Sequence, residues 1–139
     1  MSESLGAMDV VGGDATADAH LQATRVTLVR HGRTAWNALT RMQGHQDVAL
    51  DDVGLWQAQR VAAPLADADL QAIYTSDLLR ALHTASPLAQ ALGLELKLDP
   101  LLRERHFGAF EGLTVAQIAD DPGEEAKRWR SRDPDFAPS

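Results

Sequence analysis

Residues 27–37, "TLVRHGRTAWN", decide how the chain is read, because a short apolar run stops there at an arginine, a histidine and a glycine in succession. Val26, Leu28 and Val29 predict a strand over 25–29 that ends at Gly32. Charged side chains are seldom buried without a partner, and the C-terminal edge of a strand in an open α/β sheet is where such folds bind ligands. Two readings follow: a small anion held by Arg30 and attacked by His31, or a strand ending in ordinary solvated residues.

Working outward, Asp51 or Asp52 is expected to cap a helix through "VGLWQAQRVAAPLA", with Val53, Trp56, Ala58 and Val61 on its apolar face and Pro64 ending or kinking it. A short helix around Trp36 fits the otherwise loop-like stretch 34–47. "AIY" at 72–74 reads as a second strand, and Ser76 as the cap of a helix closed by Gly93 and bent at Pro87. "LELKLD" at 94–99 alternates as an exposed or edge strand does. Thr114 caps a last helix that includes Val115 and Ile118 and, after Pro122 and Gly123, Trp129. Strands alternating with helices predict an α/β fold with a mainly parallel central sheet.

The chain has 139 residues, enough for one domain with a real core. Its net charge of −7 argues against a nucleic-acid-binding surface, which carries a basic excess. Glu3, Asp9, Asp14 and Asp18 supply −4 of that charge, and residues 1–22 are poor in large apolar side chains. They are expected to form a disordered extension before a domain over 23–139. No apolar run reaches the ~18 residues of a membrane helix, no secretory signal is visible, and there is no cysteine, so a cytoplasmic protein without membrane contact is expected. No His-x-x-x-His or clustered Asp pattern suggests a metal site.

Four segments carry a resemblance: "RHGRTAWN" (30–37), "RMQGHQDVALDDVG" (41–54), "YTSDLLRALHTA" (74–85) and "LRERHFGAFEG" (102–112). In this order and spacing they resemble the histidine phosphatase superfamily, with its phosphoglycerate-mutase-like fold, a three-layer sandwich around a parallel sheet. The resemblance implies phosphoryl transfer to His31 without a cofactor, on a small phosphorylated substrate, with Glu104 protonating the leaving group. It places Arg30, Arg80 and Asn37 on the phosphate, and Gln43 and Gly44 in the substrate loop; Thr34 is a further candidate. The chemistry agrees, since a phosphoryl group needs its charge neutralised, an in-line nucleophile and a proton donor. Histidine is a nucleophile only when neutral, which nearby guanidinium groups favour, and the backbone around Gly32 could orient its ring. Glu104 needs a raised pKa to donate, which a neighbouring phosphate would supply.

Local alternatives stand beside these roles. Arg80 could pair with Asp77, Glu104 could be a solvated carboxylate beside Arg103 or Arg105, and Asn37 and Thr34 could cap a turn. His45 and His83 read as polar surface or loop residues, whereas "RERH" around His106 looks like a substrate-holding stretch of the mutases.

"FGAFEG" looks like the phosphatase branch. Phe107 and Val115 stand where mutases carry a tyrosine and a lysine, and their paired arginines become Arg130 and Ser131. Phosphomonoester hydrolysis is thus expected ahead of phosphoglycerate mutase activity. The family's second histidine, on a later strand and followed by glycine, has no match among His20, His31, His45, His83 and His106. "DPDFAPS" resembles the middle of such a domain, so an incomplete domain, truncated at its C-terminus and inactive by itself, is expected; a remnant that binds anions weakly is the alternative.

Overall fold

The computed structural model describes residues 24–139, so the expected extension over 1–22 lies outside the described residues. Among the described residues, five α-helices and two strands follow one another as α1 (Ala35–Ala38), α2 (Asp52–Ala66), β1 (Ile73–Thr75), α3 (Leu79–Leu92), β2 (Leu96–Leu98), α4 (Val115–Asp120) and α5 (Glu124–Arg130). Strands β1 and β2 pair in parallel, Ile73 opposite Leu96 and Thr75 opposite Leu98, with α3 as the crossover. The architecture is α/β with a small parallel sheet, as expected.

Local chemistry explains most boundaries. The Asp51 carboxylate accepts from Gly54 N at 2.8 Å and starts α2. Thr34 and Thr114 form capping boxes with Asn37 and Gln117. Gly93, at φ 63°, ends α3 in the left-handed conformation that glycine adopts without strain.

Four expectations are corrected. The segment 25–29 is not a strand, since it has no ladder partner among the described residues; Val26 is 72 % and Leu28 92 % exposed. Apolar β-branched residues permit extension, but a strand also needs a neighbour for its N–H and C=O groups. The sheet accordingly has two strands rather than three. Ser76 does not cap α3: the N-cap is Leu78, and the free Leu79 N–H donates instead to the Asp47 carboxylate at 2.7 Å. Pro64 does not end α2, which continues to Ala66.

The buried stripe of α2 is also not the large apolar set. It consists of Gly54, Ala58 and Ala62, while Trp56 is exposed. These positions repeat every four residues, as do Arg80, Thr84 and Leu88 on the buried face of α3, against which α2 packs. Small residues let the two backbones approach. Beneath them Ala62, Ile73, Leu88 and Ala89 form one core cluster, and Phe110, Ile118, Ala126 and Phe136 form a second between α4, α5 and the preceding loop.

Gly54 is tightest of all, because a Cβ there would lie 2.0 Å from the Arg33 carbonyl oxygen. Gly54→Ala is therefore expected to destabilise by about 1–3 kcal/mol through overpacking, even though alanine favours a helix by ~1 kcal/mol. Urea unfolding reads the sign, and a stabilised variant would contradict this packing.

Candidate active site

His31 sits half-buried just after the apolar segment 25–29. Its Nδ1 lies 2.7 Å from the Gly32 carbonyl oxygen. A carbonyl only accepts, so Nδ1 carries the proton and Nε2 keeps its lone pair. Gly32 is itself anchored: its N–H donates to Thr84 Oγ1 at 2.9 Å, and that hydroxyl donates to the Arg80 carbonyl at 2.7 Å. The histidine is thus tied to the first turns of α3.

Burial holds the His31 imidazole below its ordinary 6.5. The Gly32 hydrogen bond opposes that shift, the Arg80 and Arg30 guanidinium groups reinforce it, and Glu104 opposes it weakly. Arg30, Arg80 and Glu104 are therefore close enough for their charges to act on His31. A neutral, oriented imidazole beside two cations is suited to attack on an anion.

Arg80 is only 2 % exposed. Its Nη2 donates to the Gly44 carbonyl at 2.7 Å and its Nη1 to the Gln46 carbonyl at 2.9 Å. Burial works against its charge, while Glu104, Asp47 and Glu111 support it. Asp77 does not pair with it. That carboxylate instead takes Nε of Arg103 at 2.6 Å and also its Nη2, fixing the segment that continues into Glu104. Glu104 itself is exposed, and its carbonyl accepts His45 Nε2 at 2.9 Å.

The remaining expected residues divide. Thr34 is completely buried, with its hydroxyl 2.8 Å from Gln43 Oε1 and accepting from Asn37 N at 3.1 Å, so it builds the loop and has no surface for a substrate. Asn37 Oδ1 accepts Thr34 N at 3.0 Å, which fixes the amide group while its Nδ2 has no partner among the described residues. Gln43 is buried, and Gly44 holds φ at 52°. The backbone N–H groups of Gln43 and Gly44 make no hydrogen bond among the described residues.

His45 lies in the turn of the loop 44–46, where its ring meets that of His106 edge-on at 4.8 Å and reaches the carbonyl of Glu104. His83 lies half-buried on α3. Asp47 and Glu111 went unrecognised in the sequence. Glu111 Oε1 accepts the N–H groups of His45 at 2.9 Å and Phe107 at 3.1 Å, and Oε2 accepts Gln46 Nε2 at 3.0 Å.

Against known proteins, the profile of the histidine phosphatase superfamily (branch 1) matches residues 26–139. The chain belongs to this superfamily. It is 44 % identical to phosphoglycerate mutase-like protein 4 of Arabidopsis thaliana, over 76 % of the chain and 47 % of that protein. It is 42 % identical to a glucosyl-3-phosphoglycerate phosphatase of Mycobacterium tuberculosis, over 85 % of the chain and 52 % of that protein. A solved structure of mycobacterial glucosyl-3-phosphoglycerate phosphatase with VO3 superposes with a TM-score of 0.70 at 42 % identity, covering 78 % of this chain and 51 % of that one. The chain spans about half the length of the curated relatives it matches.

The structure describes Phe107, Val115, Arg130 and Ser131, the four positions at which a departure from the mutases was expected. Phe107 packs edge-on against Trp129 at 5.6 Å, and Val115 is an exposed apolar residue at the start of α4. Arg130 Nη1 donates to the carbonyls of Ile118, Ala119 and Asp121, closing the end of α4, and Ser131 caps α5. Among the described residues, no helix is long and apolar enough to cross a membrane.

Proposed function

We propose that the domain to which this chain contributes hydrolyses small phosphate monoesters through a phosphohistidine at His31. The observation that carries the reading is the Nδ1 bond to the Gly32 carbonyl, which leaves the lone pair on Nε2, on a ring that the Arg80 and Arg30 charges keep neutral. Nε2 attacks phosphorus, the ester P–O bond breaks, and the departing oxygen takes the proton of the Glu104 carboxyl. Water then attacks the phosphohistidine, Glu104 accepts its proton, and inorganic phosphate leaves with His31 neutral again. Arg30, Arg80 and the Asn37 amide neutralise and orient the phosphoryl oxygens. No step calls for a metal.

Mutase activity is the second reading, supported by the similarity to phosphoglycerate mutase-like protein 4. A substrate with two anionic ends calls for a second cationic patch. With Val115 and Ser131 in place of cations, hydrolysis is favoured.

The test compares the 139-residue chain with the same chain continued past Ser139 by the second half of the mycobacterial phosphatase. Hydrolysis of an aryl phosphate and of phosphoglycerates is assayed beside interconversion of phosphoglycerates, with and without a chelator. Hydrolysis that exceeds interconversion and survives the chelator is expected. Efficient interconversion with little hydrolysis reverses the ranking, and loss to the chelator ends the metal-free mechanism. Because His31 must be neutral, and its pKa lies below the ordinary value, the acid limb of kcat/KM is expected below pH ~6.5.

A further inference from the structure

We infer that Glu111 is a positioning residue for the phosphate cradle: its carboxylate fixes the loop 44–46, whose carbonyls in turn hold the Arg80 guanidinium beside His31. The inference rests on the phosphohydrolase reading and adds a residue to it.

The Glu111 side chain is only 4 % exposed, and its two oxygens gather three donors, the N–H groups of His45 and Phe107 and the Gln46 amide. His106 Nε2 lies 3.6 Å away. Burial disfavours a carboxylate there, but these hydrogen bonds outweigh it and hold the group below the ordinary carboxyl range. Gly44 shows how closely the loop is drawn in: a Cβ on it would lie 2.2 Å from Glu111 Oε1, and its φ of 52° is itself a glycine conformation.

The outer side of the same loop meets Arg80. Gly44 and Gln46, which pack on or bond to Glu111, are the residues whose carbonyls accept the two Nη groups. Among the described residues Arg80 has no ion pair within 4.0 Å, so these carbonyls set where its guanidinium points. A carboxylate placed directly on Arg80 would consume the charge that a phosphate needs. Holding the arginine through neutral carbonyls, with the carboxylate one step behind, keeps that charge available.

The test uses the 139-residue chain, its E111Q, Q46A and Q46E/E111Q variants, and inorganic phosphate as the probe. Glutamine has one acceptor oxygen where Glu111 has two and carries no charge, so E111Q either leaves one of the three donors facing an amide N–H or turns over the Gln46 side chain, and in both cases loses the carboxylate's stronger hold on the loop. Two quantities are read: the phosphate Kd, and the pH midpoint of the His31 imidazole by NMR, where Arg80, Arg30, Glu104 and the Gly32 carbonyl are the surrounding groups.

E111Q is expected to weaken phosphate binding about tenfold and to move the His31 midpoint up toward 6.5, its ordinary value. Exchanging amide and carboxylate in Q46E/E111Q should restore both. Q46A, at an exposed residue, should shift both in the same direction by less, and gives the answer if E111Q does not fold. Unchanged Kd and midpoint in a folded E111Q, or in Q46A when E111Q fails to fold, overturn the inference. If the wild-type 139-residue chain binds no phosphate, the His31 midpoints alone decide the role of Glu111, while hydrolysis by the continued chain decides the phosphohydrolase reading.

Discussion

Replacing His31 by alanine is expected to lower aryl phosphate hydrolysis about 10⁴-fold or more in the continued chain, as loss of a covalent nucleophile does elsewhere. The size follows from what remains. Arg30, Arg80 and Asn37 are untouched, so the anion still binds, but no group is left to receive the phosphoryl. Phosphate affinity is accordingly expected to stay within a few-fold of wild type, which separates lost chemistry from a lost fold. Turnover retained in His31→Ala would remove the imidazole from the mechanism, whatever the arginines do.

The second large effect concerns the chain as given. The 139-residue form is expected to hydrolyse aryl phosphate at least about a hundredfold more slowly than the continued form, and to self-associate. Phosphoryl transfer is mainly positioning and electrostatics, and one lost donor at such a site costs about 10²–10³ in rate. The association follows from the apolar segment 25–29: Val26, Leu28 and Val29 are 72 %, 92 % and 46 % exposed, with no ladder partner among the described residues. Such an edge pairs readily with another chain. Covering each of these side chains is worth ~1.5–3 kcal/mol, a large share of a domain's net stability of ~5–15 kcal/mol. Sedimentation and turnover of the two forms decide it. A monomeric 139-residue chain with the turnover of the continued form would contradict the expectation.

Features decided within a few residues were legible in the sequence. The Asp51 and Thr114 caps and the Gly93 terminus depend on one side chain and its adjacent backbone, and all three stand in the structure. The segment 25–29 depends on a neighbour that its own apolar pattern cannot supply. Similarly, the large apolar residues of α2 suggested one face, but the close approach to α3 selected Gly54, Ala58 and Ala62.

The site divides along the same line. Arg80 in the first turn after β1 was readable from chain order, whereas its carbonyl cradle is built by residues 34 and 36 positions away. Asp47 was hidden because it caps a helix that begins 32 residues later. Glu111 looked like any charged residue before a glycine. Only the fold shows its carboxylate buried under His45 and Gln46, and the one sequence cue was a glutamate directly after the buried Phe110.

The most direct test of the central claim is capture of the phosphoenzyme. The continued chain is mixed with a labelled phosphate monoester, denatured within milliseconds, and the bound phosphate is located by peptide mass spectrometry. A phosphoramidate, labile to acid and stable to alkali, on the peptide bearing His31 is expected, with none in His31→Ala. Steady hydrolysis with no bound phosphate, or label that persists in His31→Ala, would contradict the account.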